Sequence, residues 1–229
     1  MTDLICLNLD RDLNPTEFSC LLALVSDEKK EQVLSYHFPI DAMRSLVGNI
    51  LVRYMICRKL EERNAVLRFG KNSFGKPLLF NDPDMHFNIS HSGEWVVCAL
   101  DSLPVGVDVE EIKEAPFEIS KRFFSREERT FLFNEAEEVR NESFYYIWTL
   151  KESYIKAIGQ GLSYGLESFT VLPGSNWVKH EHGNEEKTLW NEKLDARHVV
   201  ALCTAPKRSR NVEKMALSAF IKIALEALA

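Results

Sequence analysis

Cysteine is scarce in this chain. Cys6, Cys20, Cys57, Cys98 and Cys203 are five thiols among 229 residues, far apart and odd in number. They form no CxxC pair, which argues against structural zinc, and the apolar neighbours of each suit reduced, buried thiols in a cytoplasmic protein. Long apolar runs are also missing. The stretch Ile89 to Leu100 is broken by polar residues well short of the roughly 20 apolar residues a membrane span needs, so no membrane span is expected. Met1 to Arg11 has Asp3 and Asp10 but no basic region leading into an apolar core, so no secretory signal is expected. Positive charge is not in excess: 28 Lys and Arg face 34 Asp and Glu, a net of −6, which weighs against a generic nucleic-acid binder. An anionic ligand would need a local cluster of Lys and Arg. What remains is an average globular composition, 45% hydrophobic and 27% charged, which excludes a disordered, collagen-like or coiled-coil chain. The length allows one large domain or two small ones.

The pattern along the chain predicts a strand over residues 2–10 and a helix from Thr16 to about Val25, with Pro15 at its start. Ser26 caps a second helix. A third is capped by Asp41 and runs to Leu60 on Leu46, Ile50, Tyr54 and Cys57. Phe69-Gly70 to Gly75-Lys76-Pro77 reads as a loop. From Met85 the period becomes two: strand His86–Ser90, turn His91–Glu94, strand Trp95–Leu100, turn Asp101–Pro104 and strand Val105–Glu110, an antiparallel meander. Helices follow at Pro116–Phe124 and Ser125–Phe133, the second opened by the capping box Ser125–Glu128. A long helix runs from about Glu142 to Ile158, stopped by Gly159 and Gly161. Strands at Ser168–Leu172, Trp177 and His198–Cys203 complete the core. The tail Val212–Ala229 reads as a strand and a helix with no assigned place.

A helix, a Gly-rich loop and strands ending in Val96–Leu100 are echoed by helix Glu142–Ile158, loop Gly159–Gly165 and strands ending in Val199–Cys203. Chance similarity of two α+β units explains this as well as a true repeat does. The expected class is α+β, divided near Pro104 into residues 1–104 and 105–229.

Four stretches carry chemistry. On a strand over Val105-Gly106-Val107-Asp108-Val109-Glu110, the valines face one way and the two carboxylates the other, with Cα atoms roughly 6–7 Å apart. Two such carboxylates repel, which favours a cation or a shared proton, and hard oxygen ligands suit Mg²⁺ that keeps waters and takes phosphate oxygens. A bare DxE is more often a solvated edge strand. On the long helix, Trp148, Glu152 and Lys156 share a ridge, with Lys151 beside them; the plain reading is a surface Glu152–Lys156 pair. Asn88-Ile89-Ser90-His91-Ser92-Gly93 lacks the elbow of a serine hydrolase and reads first as a turn. Phe74-Gly75-Lys76-Pro77 offers a close backbone and a cation for phosphate, yet is no Walker loop. Lys29-Lys30 and Arg44-Ser45 are further anion-contact candidates, each more often plain surface.

FGKP, FNISHSG, GVDVE, FFSREE and W-x-x-KE-x-x-x-K, in this order and spacing over about residues 20 to 172, resemble the surfactin-type (Sfp-type) 4'-phosphopantetheinyl transferases. The resemblance implies a monomer of two pseudo-twofold-related α+β halves with coenzyme A in the cleft between them. It implies a cytoplasmic enzyme that moves the 4'-phosphopantetheine arm of coenzyme A to a serine of an acyl or peptidyl carrier protein, releasing 3',5'-ADP, with no nucleic acid or membrane as partner. Asp108, Glu110 and Glu152 correspond to the family's magnesium ligands and Lys156 to a lysine near the pyrophosphate. Lys29, Arg44, Ser45, Lys76, Ser90 and His91 fall at positions that contact the coenzyme, mainly its phosphates. Gln32 stands where relatives often carry a further lysine. Glu152 is the candidate base for the serine proton and Glu110 the alternative; Lys151 orients Glu152 or contacts phosphate. The stretch after Leu172 resembles the family weakly, and beyond Ser209 nothing matches. Peptide-synthetase, polyketide and fatty-acid carriers are not distinguished, so the pathway, whether antibiotic biosynthesis, lysine or fatty-acid metabolism, stays open. Rival functions are a coenzyme-A-binding scaffold without activity and a metal-dependent phosphohydrolase. Lys113 to Phe124, following the metal strand, is expected to offer a carrier an apolar patch rimmed by Lys121 and Arg122.

Overall fold

Two sheets pack face to face, and each carries a 22-residue helix on its outer side, in the computed structural model of the chain. The structure describes residues 1–229, the side chain of Leu162 apart. The first half begins with β1 (Thr2–Asn8), α1 (Pro15–Ala23), α2 (Asp27–Leu34) and α3 (Pro39–Leu60). A short hairpin of β2 (Phe69–Lys71) and β3 (Pro77–Leu79) stands where the sequence suggests a loop. β4 (His86–Ser92) and β5 (Trp95–Asp101) follow, with β5 paired antiparallel to both β1 and β4. β4 is longer than the pattern indicates and carries His91 and Ser92 on the strand, because the turn tightens to Gly93-Glu94.

The caps differ in part from the expectation. Ser26 does cap α2, accepting from the Lys29 N–H. Asn14 and Glu17 make a capping box on α1 that the Pro15 signal hides. Asp41 does not cap α3: Phe38 is the N-cap without a side-chain bond, Pro39 takes the first turn, and Asp41 pairs instead with Arg44 at 3.2 Å.

β6 (Gly106–Glu111) opens the second half and is not the third strand of a meander. It pairs antiparallel with β11 (His198–Thr204), which pairs with β10 (Thr188–Lys193). The valine face decides this. Val105, Val107 and Val109 bury themselves against Leu4, Cys6, Val97 and Ala99, which they can meet only by lying across the first sheet. Between β6 and β10 come α4 (Phe117–Phe123), α5 (Arg126–Asn134) and α6 (Glu137–Ile158), which starts at Glu137 rather than near Glu142. A small sheet of β7 (Phe169–Thr170), β8 (Trp177–His180) and β9 (Gly183–Glu186) precedes β10. α6 packs on the outer face of β11 through Leu150, Tyr154 and Ile155.

The tail returns to the first half. β12 (Arg210–Ala216) runs parallel to β1, and α7 (Leu217–Leu228) packs beside α3 through Leu217, Phe220 and Ala224. Arg208 and Thr2 both bond Asp101 at the end of β5, tying the return to the sheet.

Candidate active site

The two halves meet where β4 runs beside β6. No backbone ladder joins these strands. Side chains of β4 do so instead, on the every-other-residue stripe Asn88, Ser90, Ser92. Asn88 Oδ1 accepts from Val107 N at 2.8 Å, and Ser90 Oγ donates to Asp108 Oδ1 at 2.8 Å. Ser92 Oγ donates to Glu110 Oε2 at 3.0 Å and accepts from Glu111 N at 3.1 Å. The polar stripe thus aims the acidic face of β6 into the seam.

α6 closes the seam from the other side because Gly106 has no side chain. A Cβ there would lie 2.0 Å from Ser153 O and 2.3 Å from Ala157 N, so the helix backbone rests directly on the strand. That contact delivers Lys156 to Asp108, with Nζ 2.6 Å from Oδ1 and 3.0 Å from Ser90 Oγ. Lys156 therefore pairs with Asp108, and the simple surface Glu152–Lys156 pair is not what forms. Asp108 is buried, and among the described residues its Oδ2 has no hydrogen-bond partner. Burial and then the Asp108 charge push the Glu110 carboxyl up to about 7, against the opposing pull of Ser92, Lys156 and Trp148. Burial and Asp108 likewise push Glu152 up to about 7, with Lys156 opposing and Glu110 adding repulsion.

This set of oxygens suits a hard divalent cation. The bare Asp108 Oδ2 and the mutual repulsion of Asp108, Glu110 and Glu152 are both relieved by such an ion. Among the described residues, no three acidic, His or Cys side chains are already gathered as a metal cage; Lys156 holds the free side of Asp108 Oδ1.

A cavity of about 470 Å³ opens between α2, α3, the β2–β3 hairpin and β4, reaching His91, the neighbour of Ser90. Lys29, Arg44, Ser45 and His91 line it, and so do Arg53 and Lys71, against the single acid Glu28. This is a basic concavity in a chain of net charge −6. Lys29 Nζ rests on neutral partners, Ser45 Oγ at 2.7 Å and Gln32 Oε1 at 3.0 Å; burial and then the Lys71 charge lower its pKa. Gln32 thus orients Lys29 rather than adding charge. Arg44 donates to Gly93 O at 2.6 and 3.0 Å, which ties the cavity to the β4–β5 turn. Enclosure by the cleft, then the cations Arg44 and Lys156, hold the His91 imidazole below its usual pKa. An anion would relieve each of these costs. Sequence reasoning missed Lys71 and Arg53. Lys71 had a signal, the FGK ahead of FGKP; Arg53 had none, since it sits in an apolar helix stretch and reaches the cavity under the Phe69 ring, 4.8 Å from its centroid.

Two singled-out lysines lie apart from both groups. Lys76 Nζ is consumed by the carbonyls of Lys156 at 2.6 Å and of Val105 and Ala157, both at 3.1 Å, and burial lowers its pKa to about 8. Lys151 is fully buried on the far side of α6, with Nζ 2.7 and 2.8 Å from the Glu128 oxygens and 2.8 Å from Phe169 O. Its ammonium is taken up by Glu128 and Phe169 O rather than by Glu152, and it closes the core behind that residue. In the segment Lys113–Phe124 most of the apolar patch packs inward, and Ile119 is half-buried. Phe124 is buried and stacks on Phe144, Phe117 meets Phe144 edge-on, and Phe123 meets Trp148. Lys121 is exposed and paired with Glu118 at 2.8 Å.

Residues 104–203 match the family model for the 4'-phosphopantetheinyl transferase superfamily, and residues 13–103 match that for the 4'-phosphopantetheinyl transferase N-terminal region. The chain is 42% identical over 200 residues to the 4'-phosphopantetheinyl transferase Sfp of Bacillus subtilis (strain 168), covering 86% of this chain and 89% of that one. It is 40% identical over 206 residues to the 4'-phosphopantetheinyl transferase gsp of Aneurinibacillus migulanus, covering 89% and 86%. It is 32% identical over 215 residues to the L-aminoadipate-semialdehyde dehydrogenase-phosphopantetheinyl transferase of Rattus norvegicus, covering 82% and 70%. With both halves matched in order and relatives aligned across the seam, the chain belongs to the 4'-phosphopantetheinyl transferases, a family of transferase enzymes.

Proposed function

We propose that the protein transfers the 4'-phosphopantetheine arm of coenzyme A to a serine hydroxyl of a carrier protein and releases 3',5'-ADP. The observation that carries this reading is the adjacency of a basic cavity to a carboxylate cluster, joined by β4: His91 lines the first and Ser90 bonds the second. Lys29, Arg44, Ser45 and His91 hold the coenzyme's anionic groups, and Lys71 and Arg53 add to the positive field. Asp108, Glu110 and Glu152 are the residues that would hold Mg²⁺, which when bound supplies charge neutralisation at the pyrophosphate. Lys156 places an ammonium where negative charge grows on the leaving ADP. The serine oxygen forms a bond to the β-phosphorus as its bond to the bridging oxygen breaks. The hydroxyl proton passes to a carboxylate. Glu110 is already tied to Ser92, so Glu152 is the base assigned, directly or through one water.

The decisive experiment is mass spectrometry of a carrier protein incubated with coenzyme A, Mg²⁺ and this protein. A gain of about 340 Da marks transfer of the arm. Release of phosphate or nucleotide with no change in carrier mass would show a hydrolase instead, and neither outcome would leave a coenzyme-binding scaffold.

A further inference from the structure

The clearest mismatch between a side chain and its expected use is Lys76. A half-buried ammonium with all three donors engaged has none left for a phosphate. Its acceptors are not scattered. Lys156 O and Ala157 O belong to the last turn of α6, where carbonyls lack intrahelical partners and the helix dipole is negative; Val105 O leads into β6. Asn72, from the same hairpin, adds Nδ2 to Gly159 O at 2.8 Å. Gly159 ends the helix in the left-handed conformation, φ 79°, and a Cβ there would lie 2.8 Å from Lys76 Cδ, so the hairpin sits flush on the helix end. The turn that presents these donors is braced by Asn72 Oδ1, which accepts from Phe74 N at 2.9 Å and Lys76 N at 2.8 Å. The other face of the hairpin, through Phe69, Gly70, Lys71 and Pro77, walls the cavity.

We propose that Lys76, with Asn72, is a positioning residue: the first half's hairpin clasps the C-terminal end of α6 and so holds Lys156 against Asp108 and Ser90. Coenzyme binding and the placement of the reactive helix then share one element. The charge of Lys76 stabilises the helix end, and its loss frees the turn from which Lys156 projects. The kinetic part of this inference rests on the transferase reading; the structural part does not.

The test uses Lys76→Met and Asn72→Asp in the full chain. The second variant keeps the two acceptor bonds of the turn and replaces the donor to Gly159 by a carboxylate oxygen, which the carbonyl and the negative helix end repel. Each is measured for kcat and KM with coenzyme A, and by hydrogen exchange of the last two turns of α6. Expected is a fall in kcat of about tenfold or more for Lys76→Met, a smaller fall for Asn72→Asp, a KM for coenzyme A within about twofold of the parent, and faster exchange at the helix end. A KM raised about tenfold, or a helix end that exchanges as in the parent, overturns the clasp and returns Lys76 to the coenzyme. If Lys76→Met does not fold, Asn72→Asp decides by the same criteria. A parent protein that loads no carrier would refute the transferase reading, and exchange alone would then decide the clasp.

Discussion

Lys156 and Asp108 meet at 2.6 Å, yet the pair satisfies only one oxygen of the carboxylate; Asp108 Oδ2 is buried without a partner among the described residues. Asp108 is thus the anchor of Lys156 and, after burial, the second cause that keeps Glu110 and Glu152 protonated to higher pH than ordinary carboxylates.

Replacing Asp108 by Asn should leave the fold intact, because the core face of β6 is Val105, Val107 and Val109. Carrier loading should fall by about a hundredfold or more, the scale of losing a preorganised charge-stabilising group. The pKa values of Glu110 and Glu152 should drop towards the ordinary range, which NMR titration of the carboxyls would read. Full activity in this variant would remove Asp108 from the site.

The raised carboxyls make stability depend on pH with a definite sign. In the folded protein Glu110 and Glu152 hold their protons to about pH 7, whereas unfolded they release them near the ordinary glutamate value of 4.5. Between these values the folded state binds more protons, so metal-free stability falls as pH rises from about 4.5 through 7. Mg²⁺ should offset the loss, raising Tm more at pH 8 than at pH 6, since protonated carboxyls compete with it. A Tm gain from Mg²⁺ that does not grow with pH would contradict this.

Lys29 sits in the cavity on neutral partners only, so its charge is available to a ligand. Lys29→Met should raise the KM for coenzyme A about tenfold with kcat little changed, the mark of lost uniform binding. Dephospho-coenzyme A should be the poorer substrate of the parent and should suffer less in whichever variant of Lys29, Arg44 or His91 has lost the 3'-phosphate contact. Equal penalties throughout would sink the assignment of these residues to the phosphates.

Lys151 behaves as a core residue despite its place beside Glu152. Lys151→Met strands the Glu128 carboxylate, which also accepts from Ser125 N and Val171 N, inside the core. Chemical denaturation should show a loss of about 3–5 kcal/mol, as for other broken buried pairs. The fraction that remains folded should load a carrier at close to the parental rate. A stable but inactive variant would place Lys151 in the chemistry.

With Phe117 and Phe123 packed inward and Ile119 half-buried, a carrier docked on this segment would be held largely by charge. Lys121→Glu should lower kcat/KM for the carrier several-fold and flatten its salt dependence, roughly as for a rim charge at an interface, while affinity for coenzyme A stays unchanged. Carrier kinetics that match the parent at every salt concentration would exclude the segment.

Much of this was legible from local pattern. The valine-in, carboxylate-out alternation of β6, the Ser26 and Ser125 caps, the strand pair around Gly93 and the helical ridge of Trp148, Glu152 and Lys156 are properties of neighbouring residues, and neighbouring residues set them. Of the polar stripe, Asn88 and Ser90 were visible as a period of two, whereas Ser92 was read as turn and joined them only because the strand runs on to it. The partners of β6 could not be read locally, because burial of a valine face says only that some apolar surface must cover it; the facing surface of β1 and β5 was supplied from far along the chain. For the same reason the tail had no assigned place until β12 found the open edge of β1.

The chain's sequence by itself determined the helices and most of the long strands, the acidic face and the family resemblance, but not the β2–β3 hairpin or the strands β9 and β10. It could not determine which lysine does what. Lys29, Lys76, Lys151 and Lys156 are alike as residue types, and only packing separates them: Lys29 facing a cavity, Lys76 on helix carbonyls, Lys151 locked to Glu128, Lys156 on Asp108. An ammonium takes its role from the acceptors within reach, and those are brought there by residues tens of positions away, which is a matter of tertiary structure alone.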